Sequence, residues 1–371
     1  MKRVVITGAG GLIGWHAHAR LHAANCAAGF KGRAAPWDIV ALDHAAFDDD
    51  VALATALKGT DMVLHFAGVN RAADEVVEAA NPAIAQRLAD ALDGWPHVVY
   101  ANSTHAGGDT PYGRGKARAA EVLSAATPRF TNLILPHIFG EGARPHYNNV
   151  TATLIAQVIA GDTPSVNPEG RVNLLHAGAA AGAAIDAASS GLNGDLAPDA
   201  RDISVPQLLQ VLQGFHTLYG ANVFPDLSDN FTRQLFNSYR AATYPGGWPR
   251  PLTLNSDARG TLFEAVKGGG GGQTFLSTTK PGVTRGDHFH LGKVERFLVV
   301  QGEAIIRIRK VLSDEVWEYR VTGDAPAPVD MPTLHTHSIE NVGGGDLLTL
   351  FWTHDLFDPE NPDTYADKVL P

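Results

Sequence analysis

A chain that opens with the apolar run Arg3-Val4-Val5-Ile6-Thr7 and passes at once into Gly8-Ala9-Gly10-Gly11-Leu12-Ile13-Gly14 has few folds open to it. A strand delivered into such a loop, with a helix behind it, is the opening of a βαβ unit that binds a dinucleotide. Gly8 allows the tight turn, Gly11 lets backbone N–H groups approach a pyrophosphate at the helix N-terminus, and Gly14 permits close helix-to-sheet packing. Gly10, Leu12 and Ile13 complete the cofactor loop. The rhythm continues, because short apolar runs at residues 38–43, 62–66, 97–101 and 131–135 alternate with Ala-rich, helix-length segments such as 79–92 and 117–126. That alternation specifies an α/β domain with a parallel sheet covered by helices. Asp43, at the end of the second run, is placed to accept hydrogen bonds from ribose hydroxyls, and no Arg follows it to receive a 2′-phosphate. The residues alone therefore favour NADH over NADPH, although a solvated strand-end carboxylate is an equally good reading of Asp43.

The texture changes twice further on. Residues 147–244 are mostly helical in pattern, as at 205–218 and 229–241, and are expected to add a substrate-side lobe to the first domain. Pro245-Gly246-Gly247-Trp248-Pro249-Arg250-Pro251 then breaks any regular element, which puts the domain boundary between residues 245 and 246. Beyond it come closely spaced β-type runs at 275–278, 296–300, 304–309, 316–321 and 347–352, the signature of a small all-β barrel or jelly roll. The Gly268–Gly272 run is a loop rather than a phosphate cradle, since no helix follows to supply a dipole. Two or three cores suit 371 residues. With 29 Lys and Arg against 39 Asp and Glu, a net charge of −10 and no basic run, nucleic acid is excluded as a partner. No apolar run approaches the ~20 residues that cross a bilayer. The single Cys26 suits a reducing compartment, so the expected location is the cytoplasm.

Two constellations carry chemistry. Tyr112 and Lys116, four apart at the start of a helical segment, lie on one helix face, where an ammonium can lower the pKa of a phenol and bind the nicotinamide ribose. The phenol then exchanges a proton with a substrate alcohol or ketone, and Ser103 or Thr104, just after the fourth strand, orients the same oxygen. In the β-rich half, His288 and His290 alternate onto one face of a strand, Glu295 returns from the next, and His337 follows downstream within Pro332-Thr333-Leu334-His335-Thr336-His337. Three imidazoles and a carboxylate suit a divalent zinc, iron, nickel or manganese ion, with zinc the favoured expectation. His335 is expected to be an exposed neighbour rather than a fifth ligand. A metal held there by four protein ligands is also compatible with a purely structural role.

The order of the first set of parts resembles the extended short-chain dehydrogenase/reductase family, with a Rossmann-type fold. Residues 61–68 look like its third strand, which implies cofactor contacts from Phe66, Ala67 and Gly68, and Asn81 falls where that family keeps an asparagine. Thr104 is followed by His105 and Ala106 instead of the Asp-Glu pair of the dehydratases, so dehydration is disfavoured. The second set, from Gly282 through Glu295 to Gly302, resembles the first cupin motif, and residues 332–341 resemble the second, with Leu334 in place of its usual glycine. Together the halves are similar to bifunctional enzymes of UDP-N-acetyl-L-fucosamine synthesis for capsules and lipopolysaccharide, along essentially the whole chain. His65 to Arg71, Pro111 to Gly113, Pro136 to Gly140 and Phe357 to Tyr365 carry that likeness.

The resemblance implies C3 epimerisation of a UDP-2-acetamido-2,6-dideoxy-4-hexulose at the cupin, then reduction of its C4 ketone by NADPH at the other domain, in a homodimer. It implies substrate contacts from Asn70, Arg71, Arg259 and Glu264, with Lys280 and Tyr319 as candidates for proton transfer. Three departures stand out: His137 occupies the place of an asparagine, His176 to Ala180 replace a Tyr-Val-Asp-Asp stretch, and His44 stands where an arginine meets NADPH. The alternatives are a nucleotide-sugar 4-epimerase that retains NAD and uses the cupin only for assembly, and a non-catalytic dinucleotide and sugar sensor.

Overall fold

The computed structural model describes residues 1–370, in two compact units. Met1–Thr153 and Pro168–Val205 form the first; Leu154–Asn167 and the chain from Pro206 onward form the second. The first unit begins Lys2–Thr7 (β1), Leu12–Phe30 (α1), Trp37–Leu42 (β2), His44–Asp48 (α2), Asp50–Leu57 (α3) and Met62–His65 (β3). Asp74–Ala91 (α4), His97–Ser103 (β4), Pro111–Ala126 (α5) and Phe130–Leu135 (β5) follow. The chain continues through His137–Phe139 (β6), Val150–Ala160 (α6), Arg171–His176 (β7), Ala177–Ser190 (α7), Gly194–Leu196 (β8) and Arg201–Ser204 (β9).

Six of these strands make a parallel sheet in the order β2-β1-β3-β4-β5-β8. Both faces are covered, so the central positions of the strands, such as Val4-Val5-Ile6 and Met62-Val63-Leu64, are apolar in succession rather than at alternate residues. Val4 and Ile6 point to the side where Ala17 and Leu21 of α1 and Ala180 and Ala184 of α7 pack. Val5 and Val63 point to the other, against Leu53, Leu57, Leu88 and Leu123 of α3, α4 and α5. The strand order reverses between β1 and β3, which opens a crevice outside the carboxyl ends of the strands. This is the Rossmann-type architecture expected from the sequence.

In the second unit, Val205–Gly220 (α8), Val223–Phe224 (β10) and Asn230–Ala241 (α9) lead into Asn255–Asp257 (β11), Gly260–Leu262 (β12) and Lys267–Gly268 (β13). The barrel strands are Gln273–Thr279 (β14), Thr284–Phe289 (β15), Glu295–Gln301 (β16), Glu303–Lys310 (β17) and Val316–Thr322 (β18). Val329–Met331 (β19), His335–Asn341 (β20), Leu347–Thr353 (β21) and Tyr365–Ala366 (β22) complete them. They pair antiparallel in two sheets, β14-β21-β16-β19 and β18-β17-β20-β15-β22. On β17, Ala304, Ile306 and Ile308 are buried while their neighbours are not, the two-residue period of strands with one face inward. This is the cupin jelly roll.

Residues 206–245 differ from expectation, because they pack with the barrel and not with the first unit. The reason is a buried network that sequence pattern does not reveal. Arg296 on β16 pairs with Asp330 on β19 (Nε to Oδ1 2.6 Å), and the Tyr219 hydroxyl of α8 donates to Asp330 Oδ2 at 2.6 Å. Arg240 of α9 donates to the Met331 carbonyl at 3.1 Å, and the Phe224 ring stacks on Trp352 with centroids 4.3 Å apart.

Candidate functional site

The register of the parallel sheet collects the chemistry of the first unit at one end. Thr7 pairs with Leu42 and His65, and Ser103 with Leu135, so the loops that follow all emerge together. Gly8 has φ +67°, and a Cβ there would lie 2.7 Å from the Ala67 nitrogen; one on Gly14 would lie 2.2 Å from the Gly8 carbonyl oxygen. Both positions require glycine, as the motif suggested. Gly11 caps α1 without any side-chain bond, so the first N–H groups of that helix are uncapped by the protein's side chains and offer an anion site next to Gly10, Leu12 and Ile13.

Phe66, Ala67 and Gly68 lie against this loop, with the Phe66 N–H donating to Thr7 O at 3.2 Å. Asn81 positions them. Its Oδ1 accepts from the Val69 N–H at 3.1 Å, and its Nδ2 donates to Val69 O and Val77 O at 2.9 and 3.2 Å. Asp43 is exposed, and its Oδ1 accepts from the Ala46 N–H at 2.7 Å, so it caps α2 just after β2 ends. Asn70 and Arg71 engage the segment beyond β6: Asn70 O accepts from Asn148 Nδ2 at 2.9 Å, and Arg71 donates to His146 O at 3.1 Å.

Ser103, Tyr112 and Lys116 come together where β4 ends and α5 begins. Thr110 Oγ accepts from the Gly113 N–H at 3.0 Å and starts the helix with Pro111 in its first turn. Burial raises the Tyr112 pKa, opposed by a hydrogen bond with Ser103. Lys116 is buried; its ammonium donates to Ala101 O, sits 4.2 Å from the Tyr100 ring centroid, and is lowered by burial to about 7. In this conformation its charge serves Tyr100 and Ala101 rather than the Tyr112 phenol. Thr104 is exposed at the head of the short 3₁₀ turn Thr104–Gly107.

In the barrel, His288, His290, Glu295 and His337 bring their ligand atoms within 4.8 Å of one another. His288 and His337 are cross-strand partners on β15 and β20, and Glu295 comes from β16 in the opposite sheet. Glu295 Oε2 lies 3.0 Å from His290 Nε2 and 3.2 Å from His337 Nε2. The other ring nitrogens decide what this means. His290 Nδ1 reaches the Asp363 carbonyl at 2.6 Å and His337 Nδ1 the His335 carbonyl at 3.1 Å. A carbonyl only accepts, so both Nδ1 atoms carry protons, and each ring in the neutral form that ligates a metal turns its Nε2 lone pair toward the Glu295 carboxylate.

Lone pairs that face an anion call for a cation between them. The buried His337 Nε2 also makes no well-directed hydrogen bond of its own. The donor set therefore fits a divalent metal. Burial, then the neighbouring His337 and His290, pull His288 down to about 3; although burial opposes it, His290 and His337 hold the Glu295 carboxyl well below its usual range.

A second cluster of similar composition behaves differently. His16, Glu141 and His176 are all buried in the first unit. His16 Nε2 reaches the Glu141 backbone carbonyl at 3.0 Å, so it must donate. His176 Nδ1 accepts from the Gly178 N–H at 3.1 Å, so its proton lies on Nε2, which donates to Glu141 Oε2 at 2.8 Å. Neither Nε2 has a lone pair to give a metal, and the cluster is a hydrogen-bonded clasp between α1, the segment after β6 and the start of α7.

The remaining sequence candidates are engaged elsewhere. Arg259 is exposed and paired with Asp257, Glu264 pairs with Lys267 at 3.0 Å, and Lys280 pairs with Asp346 at 2.7 Å. Tyr319 donates to Pro245 O at 3.0 Å, and burial raises its pKa to about 12. His335 is buried, not exposed: its ring stacks on Trp317, and its Nδ1 bonds the Thr333 carbonyl at 2.8 Å. Asp363 went unassigned from sequence. Besides accepting from His290, it takes the N–H groups of Leu291, Gly292 and Lys293 at 2.8–2.9 Å and so shapes the ligand loop. Asp363 lies within the Phe357 to Tyr365 stretch, where Asn361-Pro362-Asp363 also marks a turn, but no site role was legible there.

Residues 4–195 match the NAD dependent epimerase/dehydratase family and residues 255–365 the polysaccharide biosynthesis C-terminal domain. The chain belongs to the NAD dependent epimerase/dehydratase family, whose members use a nicotinamide cofactor. Among individual proteins, it is 29% identical over 325 residues to the UDP-2-acetamido-2,6-beta-L-arabino-hexul-4-ose reductase of Pseudomonas aeruginosa, covering 84% of this chain and 87% of that one. The capsular polysaccharide assembling protein CapF from Staphylococcus aureus superposes with a TM-score of 0.59 at 29% identity, covering 99% of this chain and 100% of the other. A UDP-N-acetylglucosamine 4-epimerase from Methanobrevibacter ruminantium, 18% identical over 65% of this chain and 98% of its own at TM-score 0.52, shares the fold. Among the described residues no helix is long and apolar enough to cross a membrane.

Proposed function

We propose that the chain is a bifunctional nucleotide-sugar enzyme. Its barrel epimerises C3 of a UDP-2-acetamido-2,6-dideoxy-4-hexulose, and its Rossmann-type domain reduces the C4 ketone with NADH or NADPH. The observation that carries this reading is the Tyr112 phenol, desolvated and hydrogen-bonded to Ser103, at the same sheet end as the glycine loop. The name of the Pseudomonas relative and the match over both halves of the chain support the substrate class.

A reduced nicotinamide cofactor held at the Gly8–Gly14 loop would supply the hydride for C4. Burial holds the proton on Tyr112 until the C4 oxygen gains negative charge, and the phenol then transfers it to complete the alcohol. Ser103 and Thr104 orient that oxygen, and Lys116 lies within one helical turn to contact the nicotinamide ribose. The 4-keto group acidifies the C3 proton, which a general base takes, and a general acid delivers a solvent-derived proton to C3 on the opposite face. A divalent cation, zinc by preference, held by His288, His290, Glu295 and His337 would supply Lewis-acid stabilisation of the enolate. Asp43 without a following arginine favours NADH. β14, an edge strand with Phe275 and Leu276 exposed, supports pairing of two chains into a homodimer, and the one free thiol suits the cytoplasm.

The test is incubation with this hexulose in heavy water, with the reduced nicotinamide added afterwards. Deuterium at C3 before cofactor, then oxidation of one cofactor per sugar, is the expected result. Exchange of C4 configuration with no net cofactor consumption would establish the 4-epimerase instead.

A further inference from the structure

β22 and the residues around it reach all three histidine-bearing stretches of the metal site, and no part of the proposed reaction uses them. The strand lies at a sheet edge and pairs with β15 through two residues, Ala366 opposite His288 and Tyr365 opposite Phe289. Each such cross-strand pair contributes little. The segment 362–369 therefore depends on its other bonds, and these go to the places where the chain carries a histidine ligand.

At His290 the linkage runs both ways. The Asp363 carboxylate accepts the N–H groups of Leu291, Gly292 and Lys293 at 2.8–2.9 Å, and the Asp363 backbone carbonyl accepts from His290 Nδ1 at 2.6 Å. At His288 the bonds pass through the residue before it: the Asp287 carbonyl accepts from the Asp367 N–H at 2.9 Å, and Asp287 Oδ1 accepts from the Val369 N–H at 3.1 Å. At His337 they again pass through the preceding residue. Thr336 is buried and donates its hydroxyl to Asp367 Oδ2, and Arg309, opposite Thr336 in the sheet, donates to the same oxygen at 2.8 Å. Asp287 and Asp363 hold φ values of +54° and +41°, a left-handed conformation that residues other than glycine keep where surrounding contacts enforce it. Glu295 stands apart from this arrangement, on β16 in the opposite sheet.

An imidazole grips a cation best when its ring is already turned toward it, and an acceptor on the far nitrogen does that turning. We propose that Asp363 and Asp367 are positioning residues of the metal centre. By anchoring segment 362–369 they fix the backbone that carries the three imidazoles and, for His290, the orientation of the ring itself. A divalent cation and the docked segment then favour each other. The coupling is reciprocal: whatever the docked segment adds to metal affinity, the metal adds to docking of the segment. The inference rests on the divalent cation of the function proposed above and deepens the reading of that site.

The test uses the full-length protein with zinc, its affinity read by competition with a chromophoric chelator, and with cobalt(II), whose visible absorption reports the ligand geometry. Asp363→Ala and Asp367→Ala are each expected to weaken zinc binding about 10- to 100-fold and to alter the cobalt spectrum. Asp363→Asn, which keeps an oxygen acceptor for the loop after His290, recovers most of the affinity. In the wild type, zinc slows hydrogen exchange of the Asp367 and Val369 amides about 10-fold. Wild-type affinity and cobalt spectrum in both alanine variants overturn the inference, as does exchange at 367–369 that zinc leaves unchanged. Should a variant fail to fold by circular dichroism, the exchange measurement on the wild type decides alone. A wild type that binds neither metal overturns the metal centre together with the inference, which sets that failure apart from one in which zinc binds and the variants hold it equally well.

Discussion

At the scale of single residues, the same side chains do different work according to which nitrogen carries the proton. His290 and His337 have carbonyl acceptors at Nδ1, and their lone pairs meet at Glu295. His16 and His176 have their Nε2 protons directed at Glu141 and close the site to a metal. Leu334 is a second instance of position outweighing residue type. It stands where the resembled motif has glycine, its φ is +59°, and its N–H donates to the His290 carbonyl at 2.8 Å, so the ligand strand holds it in the left-handed region. That conformation costs a non-glycine residue roughly 1–2 kcal/mol, which burial of the leucine side chain, worth about 1.5–3 kcal/mol, offsets. Leu334→Ala gives up the burial and keeps the strain, whereas Leu334→Gly gives up the burial and releases it. Urea denaturation should therefore find the glycine variant more stable than the alanine variant by about 1 kcal/mol, the reverse of their order in a helix or strand. Equal stabilities would mean that the loop relaxes around either residue.

At the scale of elements, the attachment of α8 and α9 to the barrel depends on one buried ion pair. Arg296 and Asp330 are 1% and 0% exposed, and Asp330 also accepts from the Tyr219 hydroxyl and, through its carbonyl, from the Tyr244 hydroxyl. Arg296 in addition reaches the Ala265 carbonyl at 3.1 Å. Removing one partner leaves a buried charge without compensation, which costs about 3–5 kcal/mol. Asp330→Ala is expected to lower the stability of the second unit by that amount, and replacing both residues with apolar side chains of similar volume to recover much of it. Calorimetric melting of the three proteins measures this, and a double variant as unstable as Asp330→Ala would show that the pair is required as a pair. Neither Arg296 nor Asp330 stands out in the sequence, since one follows Glu295 of the candidate metal site and the other sits in a short strand between prolines.

At the scale of the whole molecule, burial of neutral histidines ties stability to pH. Burial takes His16 to about 4 and His65 to about 3, against about 6.5 in the unfolded chain. Their folded pKa values are depressed, so between those values and 6.5 the unfolded chain binds more protons, and stability falls as pH falls through that window. Each histidine contributes a loss of roughly 2 kcal/mol between pH 7 and pH 5, above the range where ordinary carboxylates titrate. Urea midpoints across that range should fall steeply in the wild type. A His16→Gln variant, if it folds, should show a shallower decline, and an unchanged slope would locate the proton uptake elsewhere.

Periodicity and local spacing were enough to place the parallel strands, the glycine loop with Gly8 and Gly14, the Tyr112 and Lys116 pair, and the His288, His290, Glu295 and His337 set, because each depends on residues close in sequence or on a repeating face. Those features are written in order along the chain. Only the tertiary structure decided the tautomers, since the carbonyl that fixes His290 belongs to Asp363 and the one that fixes His16 belongs to Glu141. It also decided that residues 206–245 pack with the barrel and that His335 is buried. A hydrogen bond or a buried charge is satisfied by whatever partner the fold brings within about 3 Å, and partners tens to more than a hundred residues away leave no period in the sequence.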